Sequence, residues 1–254
     1  MKRFFVLLLG CLLGVSPAAA ETVTLEQVVG ALEGPFQAQA SAAVAIHDFA
    51  AGVSQRSTIQ SLDRIQRAEG RVQVRFEGQT GEASARVLFR WEYTEPTAQE
   101  FVSDGVSLFA YVPENRQVIQ SDVQTQSAVG SDNPIAFLTG LGHLSRDFQV
   151  AWAEPQEDAE GNFILELSPR RPSPLLERLV VVVNRDAVVP AASQVASGSS
   201  FPLRSTTILD PNGNTTVIEF RDVQVNSGIP DAVFHFDVPA GVQVIRPDAA
   251  DLGG

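Results

Sequence analysis

The residues able to do chemistry are few and dispersed. Histidine occurs only at His47, His143 and His235, and the carboxylates are scattered along the chain. There is no G-x-S-x-G, no H-E-x-x-H, no phosphate loop and no dinucleotide glycine pattern. The one cysteine, Cys11, lies in an apolar N-terminal run. The expectation is therefore no catalytic residue, no metal and no cofactor. His235 sits between Phe234 and Phe236, which suits the polar face of an amphipathic strand. Aromatic residues at period two are what recurs. Val87, Phe89, Trp91 and Tyr93 alternate with Leu88, Arg90, Glu92 and Thr94, and successive strand side chains point to opposite faces. One face of this strand is aromatic. The chemistry it offers is burial of apolar surface.

The elements around that strand read as an antiparallel sheet. Ser103-Asp104-Gly105 and Pro113-Glu114-Asn115 are turns flanking strands at Ser107–Val112 and Gln117–Val123. Upstream, Thr24 and Gln27 form a capping box before Leu25, Val28, Val29 and Leu32, an apolar helical stripe ended by Gly34-Pro35. Ile46–Ile65 is one long strand or two joined near Gln55–Thr58, Glu69-Gly70 turns the chain, and Val72, Val74 and Phe76 form a half-buried strand. Ser131-Asp132-Asn133-Pro134 starts a helix over Pro134–Leu144, with Ile135, Phe137, Leu138 and Leu141 apolar. Gly140 and Gly142 each weaken it by roughly 1 kcal/mol, as suits a lid. It either acts as that lid or plugs the end of the barrel.

Strands follow at Phe148–Ala153, Phe163–Leu167 and Leu179–Asn184; Val180–Val183 is apolar on both faces and predicts cover on both sides. Asp210-Pro211-Asn212-Gly213-Asn214 is a hairpin turn. Phe234, Phe236 and Val238 share the face of a last strand. No period repeats and no crossover helices alternate with strands. An all-antiparallel sheet with so few helices must close into a barrel, stack on a second sheet, or curl and leave a groove.

Residues 1–20 read as a signal peptide: a cationic start at Lys2-Arg3, the apolar run Phe4–Val15, and Ala18-Ala19-Ala20 for cleavage. Leu8-Leu9-Gly10-Cys11 resembles a lipobox; acylation there would make an anchored receptor instead. After cleavage at Ala20 no cysteine remains, and loss of Lys2 and Arg3 takes the formal charge from −12 to about −14. Such acidity argues against nucleic acid and against adsorption to anionic lipid. Residues 21–254 form one expected domain and monomer, with 249–254 a loose tail.

An ordered set of segments resembles the periplasmic carriers of outer-membrane lipoproteins, the LolA family. It comprises Ala51–Gln55, Gly70-Arg71-Val72, Phe89-Arg90-Trp91-Glu92-Tyr93, Pro96, Val102–Gly105, Leu108-Phe109, Tyr111, Pro113, Gln117-Val118, Pro134–Leu144, Asp147-Phe148, Asp210–Gly213, Phe220, Asn226, Phe234, Phe236 and Pro239–Ile245. The resemblance implies a mainly β fold, an incomplete, half-open antiparallel β-barrel whose concave apolar face is covered by short α-helices. It implies a carrier that receives outer-membrane lipoproteins from an inner-membrane ABC transporter, shields their acyl chains across the periplasm, and passes them to an outer-membrane receptor.

On that reading the groove is lined by Phe89, Trp91, Tyr93, Phe109, Tyr111, Phe220, Phe234 and Phe236, and Ile135, Phe137, Leu138 and Leu141 belong to the lid. The family's lid-holding Arg falls at Ala85 here, its following Pro is missing, and Arg86 is the nearest substitute. Two other readings fit the same residues: a related carrier or receptor of lipids or glycolipids, and an envelope enzyme with a polar cluster in the groove.

Overall fold

The computed structural model describes residues 22–78, 86–123, 140–189 and 200–247. The capping box forms as the sequence predicts: Thr24 Oγ1 accepts from the Gln27 amide at 3.3 Å and Gln27 Oε1 from the Thr24 amide at 2.8 Å. It opens α1 (Leu25–Glu33), which a 3-10 turn at Gly34–Phe36 ends. Among the described residues twelve strands follow. They are β1 (Asp48–Ile59), β2 (Arg64–Glu77), β3 (Arg86–Glu95), β4 (Gln99–Ser103), β5 (Ser107–Val112), β6 (Gln117–Asp122), β7 (Phe148–Glu157), β8 (Phe163–Pro169), β9 (Arg178–Val183), β10 (Leu203–Leu209), β11 (Thr215–Val225) and β12 (Gln243–Ile245). Short helices α2 (Leu144–Asp147) and α3 (Arg185–Val188) interrupt them.

All strands belong to one sheet in the order β12-β6-β5-β4-β3-β2-β1-β11-β10-β9-β8-β7. Its two ends do not meet, so the sheet is open. One apolar cluster joins α1 to inward residues of β1–β3, β5 and β7–β11, so one face wraps around the helix. Val28, Leu32, Phe36, Leu141 and Leu144 cover Phe49, Val53, Val74, Leu165, Val181 and Leu203. Burying these side chains is the main stabilising term, on the order of 2 kcal/mol each.

Several expectations are corrected. The chain does not turn at Glu69-Gly70. It turns at Gln60–Asp63, where Asp63 takes the left-handed conformation at φ 45°, and β2 runs straight through Gly70. Gly70 instead marks a shift of register against β3, where the chains approach too closely for a side chain. A fourth strand, β4, lies between the aromatic strand and the Asp104 turn. In β9 only Leu179, Val181 and Val183 are buried, so it is covered on one face rather than two. The sheet is not wholly antiparallel, since β12 pairs parallel to β6. Phe234 and Phe236 lie on no strand: a 3-10 turn at Asp231–Phe234 belongs to an arm that crosses the sheet.

Two hairpins close with the same five-residue turn, D-x-x-G-N, at Asp158–Asn162 and Asp210–Asn214. Gly161 and Gly213 take φ +82° and +81°, which the missing Cβ permits. In each, the Asp carboxylate accepts two backbone amides and the Asn side chain. Partial burial pushes these carboxyls up, but the donated hydrogen bonds outweigh it and both end below the usual aspartate value. A depressed folded pKa stabilises above the unfolded value and is lost as pH falls through the folded one. Stability should therefore drop below about pH 4. A double Asp158→Asn, Asp210→Asn variant should melt lower at pH 7 but fall less steeply with acid, as measured by thermal denaturation across pH.

Candidate functional site

The ladders assign each aromatic to a face. Phe89 stands opposite Ser103, which stands opposite Leu108; Trp91 stands opposite Phe101, and Phe101 opposite Ala110. Directly opposed residues share a face. Phe89, Trp91, Tyr93, Phe101, Ala110 and Ile119 therefore lie on the concave side, and Phe220, opposite Val53, joins them. Phe89, Trp91 and Phe220 are buried within the main cluster, and Tyr93 and Phe101 pack against it. Trp91 and Tyr93 rings are 5.8 Å apart and Tyr93 meets Phe101 edge-on at 6.3 Å.

Cover is uneven along this face. Its centre lies under α1 and the 3-10 turn Leu141–His143, while Tyr93, Phe101, Ala110, Val150 and Trp152 toward the flanks are only partly buried and Ile119 is 42% exposed. The result is an apolar concave wall with an exposed margin on β4–β6.

The other four aromatics lie on the convex side and do not line this wall. Phe109 and Tyr111 stand on the face opposite to Leu108 and Ala110, and Phe236 stacks on them at 5.3 Å and 5.9 Å. Phe234 is buried in a separate cluster with Ala50, Leu88 and Ile229. The physical reason is the arm after β11, which runs over the convex face from β2 past β3 to β5 and carries Phe234 and Phe236 with it. Residues 227–242 join no ladder, and side chains take several of their carbonyls. Arg75 donates to Ile229 O at 3.0 Å, and Arg90 donates to Val233 O at 2.7 Å and His235 O at 2.9 Å. Arg90 also pairs with Glu92 and Glu100, and Arg75 lies 5.0 Å over the Phe234 ring. Asn226 starts the arm in the left-handed conformation, and the buried Asp48 accepts from the Ser227 and Gly228 amides. Arg90→Met should cost about 2 kcal/mol through the lost charged hydrogen bonds, seen in urea denaturation, and should speed proteolysis within residues 229–242.

The helical cover is tied down by polar contacts. Glu33, buried at the end of α1, accepts from the Ser145 amide and hydroxyl. Gln37 donates to Gly142 O at 3.3 Å. A Cβ on Gly142 would lie 2.9 Å from Phe36 O, so the glycine permits this packing. Leu141 is fully buried against the cluster. Ile135, Phe137 and Leu138 lie outside the described residues. Arg86 is exposed at the start of β3, donates to Asp104 O at 3.0 Å and packs over Gly105. Ala85 also lies outside the described residues.

Sequence reasoning missed Phe36, Phe49, Phe101 and Phe201. The Phe49–Phe201 and Phe36–Phe76 pairs, 4.6 Å and 5.2 Å apart, fill the space under the helix. The period-two pattern Phe49-Ala51-Val53 was the available signal for Phe49. Among the described residues no group of His, Cys, Asp or Glu is placed to hold a metal, and no helix is long and apolar enough to cross a membrane. His235 is exposed, 3.1 Å from Asp237 on the arm.

At the open end, where β1 and β2 reach past the helix, the concave face becomes polar. The Tyr93 hydroxyl donates to Gln55 Oε1, Gln55 Nε2 donates to Ser57 Oγ at 3.1 Å, and Ser57 Oγ lies 3.1 Å from Thr216 Oγ1. Burial pushes the Tyr93 phenol well above the ordinary tyrosine value, so it is a donor at all physiological pH. Trp91 Nε1 is buried beside it, and its hydrogen bond to the phenol offsets part of that rise.

The model of the family "Outer membrane lipoprotein carrier protein LolA" matches residues 45–237. An outer-membrane lipoprotein carrier protein of Bordetella avium is 30% identical over 158 residues, covering 62% of this chain and 66% of that one. One of Chromobacterium violaceum is 27% identical over 231 residues, covering 89% of this chain and 97% of that one. Among solved structures, a LolA superfamily protein from Nitrosomonas europaea superposes with a TM-score of 0.42 at 15% identity, covering 85% and 99% of the two chains. With its family match running from just before β1 to the arm, the chain belongs to the LolA outer membrane lipoprotein carrier family.

Proposed function

We propose that this protein carries outer-membrane lipoproteins by holding their acyl chains on the concave face. What supports the reading is the apolar wall of Phe89, Trp91, Phe101 and Phe220 on an open sheet, with an uncovered margin at Ile119. A carrier has a physical task to perform. Each CH₂ kept from water is worth about 0.8 kcal/mol, so an anchor of two or three long chains cannot cross an aqueous compartment unshielded. Release needs cover that yields, and the thin 3-10 turn at Leu141–His143 is a better candidate for that than the capped α1.

In this reading residues 1–20 direct export to the periplasm and residues 21–254 are the mature carrier, a monomer without enzymatic activity. It takes cargo from an inner-membrane lipoprotein-releasing ABC transporter and delivers it to an outer-membrane receptor. The test is release of radiolabelled lipoprotein from inner-membrane vesicles with ATP. The purified protein should bring lipoprotein into the soluble fraction as a one-to-one complex; lipoprotein that stays with the vesicles at every protein concentration contradicts the reading.

A further inference from the structure

The open end of the concave face holds a cavity of about 610 Å³ between the β1–β2 hairpin and the β3–β4 connection. Its wall differs in kind from the apolar face it adjoins. Its neutral polar lining is Gln55, Ser57, Gln66, Tyr93, Thr97 and Gln99, interleaved with the apolar Ile65, Ala68 and Pro96. The polar groups offer N–H and O–H donors in a place where a plain hydrocarbon chain gains nothing from them. Tyr93 is the boundary: its ring packs on Trp91 and Phe101, and its hydroxyl turns to Gln55. Arg64 and Arg67 also line the cavity but are exposed at its rim, with Glu95 beside them, and neither makes an ion pair among the described residues.

We infer that this cavity binds the polar head of the acylated cargo, namely the ester and amide carbonyls that join two acyl chains and a glycerol to a peptide. This rests on the carrier reading above and adds a second, polar subsite to it. An amphiphile placed so would lay its chains along Phe101 and Ile119, and its carbonyls would accept from the glutamine amides and from the Tyr93 hydroxyl as it turns from Gln55. A phosphate head is the poorer fit, because the half-buried polar groups of the lining, Gln55, Ser57, Tyr93, Thr97 and Gln99, are carboxamides and hydroxyls, while Arg64 and Arg67 are exposed. The glutamines and Tyr93 are binding residues here; nothing in the cavity performs a reaction.

The experiment measures affinity of the lipid-free, full mature chain for three ligands. They are a synthetic dipalmitoyl-glyceryl-cysteinyl peptide, its dihexadecyl ether analogue without ester carbonyls, and dipalmitoyl phosphatidylglycerol. The ester peptide should bind about tenfold tighter than the ether analogue, the worth of one or two neutral hydrogen bonds. It should also bind tighter than the phospholipid. A double Tyr93→Phe, Gln55→Leu variant should erase the ester preference, so that the ester peptide binds no tighter than the ether analogue. Equal binding of ester and ether by the wild-type chain overturns the polar subsite and leaves the carrier reading standing. So does a variant that keeps the preference. A phospholipid that binds as tightly as the ester peptide overturns the peptide-linked head as the occupant. Failure of the wild-type chain to bind either peptide ligand overturns the carrier reading and the subsite with it.

Discussion

Ile119→Asp should leave the protein folded and abolish cargo binding. Ile119 is 42% exposed on the margin of the concave wall, in register with Ala110, Phe101 and Trp91. A substitution at such a position, away from the packed core, changes stability by about 0.5 kcal/mol or less. The same carboxylate would meet acyl chains in the loaded protein. Burying an unpaired charge against hydrocarbon costs several kcal/mol, so affinity should fall at least a hundredfold. The control is Tyr111→Asp on the convex side, which should weaken packing on Phe236 without changing affinity for cargo. Equilibrium binding of a fluorescent diacylated lipopeptide, with melting curves for both variants, separates the two effects.

Gly70→Ala should be the most damaging small substitution for stability. An added Cβ would lie 2.0 Å from Glu92 O and 3.0 Å from the Tyr93 Cα, both backbone atoms of the neighbouring strand. Backbone cannot rotate out of the way as a side-chain end can. The strands would have to separate where β2 and β3 shift register, breaking ladder bonds beside Trp91 and Tyr93. A loss of about 3 kcal/mol is expected, equivalent to a fall in melting temperature of roughly 6–12 °C for a chain of this size. Gly30→Ala is the contrast. It lies inside α1 with nothing within 4 Å of the added atom, and should stabilise by about 0.5–1 kcal/mol.

These two sites show what could be seen in the sequence. Strand parity places Phe89 and Trp91 together, and the sheet keeps them together. Parity does not relate one strand to the next. That requires the register, and the ladder sets Leu108, not Phe109, on the face of Phe89. Choosing the aromatic residue over the aliphatic one therefore put Phe109 and Tyr111 on the wrong side. Phe234 and Phe236 misled for a different reason. Their spacing of two is that of a strand, but the arm is held by Arg75 and Arg90, distant residues whose alternation marks them only as polar.

Gly70 looked like a turn residue because glycine commonly is one. Its reason lies in a backbone approach from β3, which no local pattern carries. The D-x-x-G-N turn was recognisable at Asp210, and the same five-residue pattern recurs at Asp158. The open end of the concave face is legible only in three dimensions, since Gln55, Tyr93 and Thr216 meet from three strands.

The most direct test of acyl-chain binding on the concave face is site-specific photo-crosslinking in living cells. A benzophenone amino acid would be placed at Phe101 on the concave wall and, separately, at Phe109 on the convex side. Irradiation should attach acylated lipoprotein to the Phe101 probe and leave the Phe109 probe free of it. Equal adducts at both positions, or an adduct at Phe109 alone, would contradict the account.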